Sequence, residues 1–366
     1  MKSIKNLLWL LLAMQLLACA HHPDLPYDAV VTHDAALAGK PKHFASVQAA
    51  LDAAPMESTL PYKVFIQPGN YYEKIVIDKP NIQLIGAGMD KTRLYFDAYS
   101  GQVSEPGKTW GTRGSGTVIV RATDVQFHQL TIENTFDFVA NDALENDDPQ
   151  KIRHSQAVAL HLDKGSDRVL VRKVKLLGYQ DTLFVDAGRS WFDQNIIAGN
   201  VDFIFGAGNA LFTDSEIITR IRGRDSIPHA YVTAPSTQIV DEFGLTFLRC
   251  TLTREPGVPD NSTPLGRPWH PTTDFPDGRY ADPKAIGKAV FIDTKMDAHI
   301  TRDGWYWMGG TTRDGGKEPF MPEDARFFEY QSDGPGAHKN DKRRQLTATE
   351  VKVYTWENIM GDWQAP

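Results

Sequence analysis

Two aspartates sit in similar surroundings 21 residues apart, in Leu177-Gly178-Tyr179-Gln180-Asp181-Thr182-Leu183-Phe184 and Gly199-Asn200-Val201-Asp202-Phe203-Ile204-Phe205-Gly206. A carboxylate inside an apolar run such as residues 201–205 is costly to bury unless it has a partner or a task. On adjacent strands of a stacked sheet the two backbones would lie about 4.8 Å apart. At that separation and an effective dielectric of about 20, ionising both would cost about 3.5 kcal/mol. One carboxyl would then keep its proton while the other stays charged, the division that paired carboxylates need for acid, base or nucleophilic work. Gln180 adjoins Asp181, and Gln156, in Ser155-Gln156-Ala157-Val158-Ala159-Leu160, precedes it by 25 residues. Two amides beside two carboxyls suit the stabilisation of an oxyanion. An isolated Asp in repetitive β structure more often serves a turn or a buried ladder. The apolar setting of Asp202 argues for a task.

The elements that must position these residues are short. Residues 46–53 read as one amphipathic helix, with Val47, Ala50 and Leu51 on one face and Pro55 stopping it. Beyond it, residues 63–67, 75–77, 82–85, 118–120 and 125–132 read as strands broken by Gly, Asn and Asp. No helical pattern of useful length separates them, so a doubly wound α/β fold, which needs helical crossovers, does not fit. Similar apolar units begin at Gln129, Lys173, Asn195 and Ser215; the last three are spaced by roughly 20 residues and the first gap is about twice that. A solenoid of parallel strands explains this period, because each coil buries its inward residues only by stacking on the next. Residues 97–115 and 260–285 are long, rich in Gly, Pro, Trp and Thr, and read as functional loops. Thr347-Ala348-Thr349-Glu350 reads as a capping box opening a C-terminal helix that covers the last coil.

The chain has 366 residues, 41% hydrophobic and 23% charged, which is a globular composition. Its formal net charge of -7 offers no basic surface for nucleic acid. Lys2, Lys5 and the apolar run 7–17 read as an export signal too short to span a bilayer. The ending Leu16-Leu17-Ala18-Cys19 resembles the bacterial lipoprotein signal motif. That resemblance implies cleavage before Cys19, lipid attachment to its sulfur and, because Ala20 rather than Asp follows, the outer membrane. A plain secretory peptide, giving a periplasmic or secreted protein, is the alternative. The organisation expected is a signal at 1–18, a linker at 19–28 and one domain at 29–366. Cys250 is the other cysteine and lies in an apolar stretch, where it reads as a small buried residue. The Gly206-Ala207-Gly208 tract lacks the third Gly and the following helix of a dinucleotide loop, and neither HExxH nor GxSxG occurs.

Five tracts, Gly69-Asn70-Tyr71-Tyr72-Glu73, Gln156-Ala157-Val158-Ala159-Leu160, Gly178-Tyr179-Gln180-Asp181-Thr182-Leu183, Val201-Asp202-Phe203-Ile204-Phe205-Gly206 and Leu265-Gly266-Arg267-Pro268-Trp269, resemble the signature blocks of pectin methylesterases. They occur in family order, and the resemblance covers roughly residues 28–366, closest to the bacterial branch. It implies an all-β, right-handed parallel β-helix with no metal or organic cofactor, acting as a monomer on methyl-esterified pectin or oligogalacturonides. Carried onto this chain, it makes Asp202 the nucleophile and Asp181 the acid and then the base. Arg267 would keep Asp202 ionised and aimed, and Gln156 and Gln180 would hold the oxyanion. Trp269 would stack on sugar rings, while Phe184, His161, Val201, Phe205 and Met308 would line the substrate groove. Phe184 and His161 depart from the family, which often has Tyr at the first position and an aromatic hydroxyl at the second. Arg267 without the motif reads equally as a surface ion-pair former, and Trp305 and Trp307 as core or groove. A pectate lyase or polygalacturonase on the same scaffold is the enzymatic rival, but the Gly-His-Gly tract of the latter is missing. A non-catalytic polysaccharide-binding β-helix is the other, and it would need neither Arg267 nor two carboxyls in stacking register.

Overall fold

The computed structural model describes residues 26–364. Cys19 and the export signal read from residues 1–18 lie outside them, as does most of the linker. Among the described residues no helix is long and apolar enough to cross a membrane.

Three long parallel sheets of eleven, eight and six strands dominate the structure. Successive passes of the chain add one strand to each, which is a parallel β-helix. The repeated apolar units become consecutive rungs: Thr131–Asn134, Lys175–Leu177, Ile196–Gly199 and Glu216–Thr219 pair in that order within the eight-stranded sheet. The doubled first gap is an insertion carrying the short helix Phe138–Ala143. Inward residues build one continuous core, in which Phe192, Phe212, Phe247 and Phe291 stack face to face along the axis with centroids 4.7, 4.5 and 4.4 Å apart. Offset stacking of this kind adds to the apolar area each ring buries.

The expected strand over residues 125–132 is two strands, Val125–His128 and Thr131–Asn134, bent at Gln129. Gln129 holds φ 53°, and Lys173, Gln194, Asp214, Arg249 and Asp293 hold φ between 49° and 56° at the same corner of the following coils. One left-handed residue turns the chain from sheet to sheet. The position is not reserved for Gly or Asn, because the side chain points to solvent and stacking above and below offsets the local strain. The residue after each corner points inward. There Asn195 N donates to Ser215 Oγ at 3.0 Å, and Cys250 occupies the next rung, buried.

The first helix is Val47–Asp52 with Ser46 as its N-cap, and Val47, Ala50 and Leu51 are buried as read. Glu73 accepts from Val47 N at 2.9 Å and Gln48 N at 3.1 Å, so the Gly69–Glu73 tract holds this helix by its N-terminus. The C-terminal capping box also forms, with Glu350 N donating to Thr347 Oγ1 at 3.2 Å and Thr347 N to Glu350 Oε2 at 2.7 Å. It opens a 3₁₀ turn, Glu350–Val353, followed by the helix Trp356–Met360. That helix does not cover the last coil. Ile359, Met360 and Trp363 pack on Leu170 and Leu211, outward residues of the middle rungs of the large sheet, beside Trp191 and Leu248. This outward apolar stripe is what needed covering.

Candidate active site

The six-stranded sheet carries the site on its outer face. His161, Phe184, Phe205 and Ala234 stand at matching positions of consecutive strands, with core residues on either side of each. Phe184 and Phe205 stack at 4.2 Å, and Trp269 leans against both, its centroid 6.1 and 5.6 Å away. With Val158 and Ala234 they form an apolar floor separate from the main core.

Asp181 and Asp202 lie at the corner that leads into this sheet, one rung apart. The register Leu183↔Ile204 puts them level, and Asp181 N donates to Val201 O at 3.0 Å. Both take left-handed backbone, φ 64° and 50°, which aims both side chains to the same side. Such conformations cost on the order of 1 kcal/mol or more for a non-glycine residue and concentrate at functional sites. The corner is fixed by Asn200, whose Oδ1 accepts from Val201 N at 2.7 Å and whose Nδ2 donates to Ile221 O at 3.1 Å. Gly199 is required beneath it, since a Cβ there would collide with Phe203 and Thr182.

The two carboxyls meet different environments. Burial pushes Asp181 well above the ordinary carboxylate range, the charge of Asp202 pushes it further, and Arg267 opposes both. Asp202 is gripped by Arg267, Nε to Oδ1 at 2.8 Å and Nη2 to Oδ2 at 2.6 Å. Arg267 lies over Tyr231, its guanidinium carbon 3.8 Å from the ring centroid. It can reach in because Arg267 N bonds Thr233 O at 3.1 Å and the preceding Gly266 lies against Thr233, where a Cβ would collide with the threonine side chain. Gln180 Oε1 accepts from Ser155 Oγ at 3.1 Å, leaving its NH2 as the end available to a ligand. Gln156 Oε1 is buried without a hydrogen-bond partner among the described residues.

All of these open into one cavity of about 800 Å³. Gln156, Gln180, Asp181, Asp202 and Arg267 line it together, with Phe184, Phe205, Trp269 and Met308 among the apolar contacts. Two expected groove residues fall elsewhere. His161 is fully buried, stacked behind Phe184 at 4.4 Å, with Nδ1 3.0 Å from Arg113 O, because the 97–115 loop covers that end of the floor. Val201 faces an adjoining cavity of about 310 Å³ that shares Gln180 and Arg267 with the first. Trp305 is core, at 5% exposure, whereas Trp307 is exposed. Trp110, Arg113, Gln238 and Asp282 also line the main cavity and were not read as site residues. Three of these sit on the two long loops, whose length was the available signal; Gln238 carried none.

A solenoid groove that sets one carboxyl toward its neutral form, beside a second held by a guanidinium and flanked by amides, suits the class of hydrolases that act along an extended substrate. The family model described as Pectinesterase matches residues 28–359. Pectinesterase A of Dickeya dadantii is 42% identical over 340 residues, covering 92% of this chain and 91% of that protein. Among solved structures, a pectin methylesterase in complex with a hexasaccharide matches with TM-score 0.88 and 43% identity, over 93% of this chain and 98% of that one. Pectin methylesterase from Yersinia enterocolitica matches with TM-score 0.84 and 45% identity, over 88% and 100%. The chain belongs to the pectinesterase family, and it is an esterase that removes methyl groups from pectin.

Proposed function

We propose that this hydrolysis runs through Asp202 as nucleophile and Asp181 as acid and then base; the observation that carries the assignment is the two-point Arg267–Asp202 pair beside a buried Asp181. An ionised Asp202 oxygen attacks the ester carbonyl of a methylated galacturonate, and the carbonyl oxygen takes up negative charge toward the Gln156 and Gln180 amides. The tetrahedral species collapses, Asp181 gives its proton to the departing methoxide, and methanol leaves an anhydride between substrate and Asp202. Asp181, now ionised, takes a proton from water as the water attacks the anhydride. The anhydride opens to the Asp202 carboxylate and a galacturonic acid, which gives its proton to solvent and leaves as galacturonate, and Asp181 is protonated again.

The substrate is an extended galacturonate chain, in keeping with the hexasaccharide bound by the similar enzyme. Trp269, with Phe184 and Phe205 beneath it, supplies a flat apolar surface for a sugar face. The domain begins near Ala29, the first strand residue. Ahead of it, the Leu16–Cys19 ending supports export and lipid anchoring at the outer membrane.

Methylated pectin incubated with purified protein in chelator should release methanol and acidify, with no unsaturated product. Asp202→Ala should abolish release on the order of 10⁴-fold while polysaccharide binding persists. Normal release by that variant would remove Asp202 as nucleophile.

A further inference from the structure

The reaction above has no use for one charged group in the groove wall. Arg113 lies in the single helical turn Gly111–Gly114 and lines the main cavity. Its guanidinium donates through Nη2 to Asp186 Oδ1 at 2.9 Å and through Nη1 to Asp186 Oδ2, and reaches Asp163 Oδ1 at 3.4 Å. Arg121 Nε donates to the other Asp163 oxygen at 3.0 Å. The Arg113 guanidinium also lies 5.3 Å from the ring centroid of Phe184, the floor residue next to Asp181 and Gln180 in the groove.

The same turn is tied down at further points. Arg113 O meets His161 Nδ1 at 3.0 Å, and Ser115 Oγ accepts from Val158 N at 3.2 Å. Trp110, at its head, stacks on Lys74, 4.7 Å from the ammonium, and Lys74 Nζ donates to Gly116 O at 2.5 Å. His161, Asp163 and Asp186 bring their donor atoms within 4.8 Å of one another, a spacing that would suit a cation. Arg113 and Arg121 already take that place, two guanidiniums against two carboxylates.

We propose that Arg113 is a specificity-determining latch. Its pairs with Asp186 and Asp163 clamp residues 110–113 onto the solenoid, so that Trp110 and Thr112 stand as a fixed wall against which a long substrate chain lies. The latch acts on how far along the polymer the groove grips, and Arg113 is a positioning residue rather than a catalytic one. The proposal rests on the esterase reading of this groove.

The test compares KM and kcat on highly methylated pectin and on a short methylated oligogalacturonide. Wild type, Asp186→Asn, Arg113→Ala and the double variant are each measured at low and at high salt. Asp186 does not line the groove, so Asp186→Asn should hold kcat within about twofold on both substrates while raising KM on pectin about fivefold, the upper range for a partly exposed ion pair. KM on the short substrate should not move. High salt should raise the wild-type KM on pectin toward that of the variants, because the pair is screened. The double variant should be no worse than either single, the mark of one shared interaction. Arg113→Lys should not restore pectin affinity, since it loses the planar fork. Equal KM in wild type and Asp186→Asn, additive losses in the double variant, or equal losses on both substrates would overturn the latch. If Asp186→Asn melts early, Asp163→Asn and the wild-type salt series read the same contact. Wild-type protein releasing no methanol from either substrate would instead overturn the esterase reading.

Discussion

Arg267 and Asp202 are 65 residues apart in the chain, yet Nε and Nη2 of the one meet Oδ1 and Oδ2 of the other at 2.8 and 2.6 Å. A guanidinium fork meets both oxygens of the carboxylate, and so fixes its orientation. Among the described residues Asp181, one rung away, has no such partner, and the two roles proposed above rest on that asymmetry.

Removing the fork should damage activity and stability together. Arg267→Ala leaves a largely buried carboxylate unpaired, at a cost of about 3 kcal/mol in unfolding free energy. Arg267→Lys keeps the charge but loses the second bond, and should lower kcat about 100-fold with a smaller loss of stability. Urea denaturation beside methanol-release kinetics checks both. A lysine variant with normal kcat would show that orientation of Asp202 is not limiting.

The raised Asp181 fixes the sign of a pH effect. The folded state holds this proton at pH values where the unfolded chain, with an aspartate near about 3.9, has released it. Folding therefore binds a proton, and the Asp181 contribution to stability declines as pH rises from that unfolded value through the raised folded one. Asp181→Asn should remove the decline and raise the melting temperature at neutral pH while abolishing turnover. Thermal melts of the two proteins across a pH series test it; parallel curves would clear Asp181 as the source. Activity of the wild type should fall as pH passes the same raised value, because the acid is spent.

Trp269 should govern affinity rather than chemistry. Trp269→Ala removes the ring that leans on Phe184 and Phe205, and should raise KM on pectin about tenfold, equivalent to about 1.4 kcal/mol. A fall in kcat with KM unchanged would place its effect on the reacting groups instead.

Cys250 should be chemically silent. Burial pushes its thiol up to about 12, and it sits inside the rung ladder next to Ser215. A thiol reagent at mildly alkaline pH should label the protein only after unfolding in urea. Rapid labelling of the native protein would show that this corner opens.

The Phe ladder should be the costliest place to make a hole. Phe212 stacks on both Phe192 and Phe247 with no exposure, so Phe212→Ala should cost about 4 kcal/mol. A chemical denaturation midpoint close to wild type would mean that the stack relaxes around the gap.

The 21-residue interval between Asp181 and Asp202, and the like spacing of the apolar units, were enough to read a solenoid and to bring the acids together. Spacing works here because every coil repeats the same three-sheet path, so sequence distance converts directly into position around the axis. The same spacing brought in Gln156 and Gln180, the motif tracts added Arg267, and the groove does gather all three. What stayed hidden depends on segments outside the repeat. Whether His161 faces the groove was decided by the 97–115 loop lying over it, and which stripe the last helix covers was decided by Leu170 and Leu211 on distant rungs. Neither follows a period. The sequence by itself determined which residues share a side of the coil, because hydrogen bonding between rungs fixes the register; only tertiary structure decided which of them a loop buries and which a ligand can reach, because loop placement is set by contacts between residues far apart in the chain.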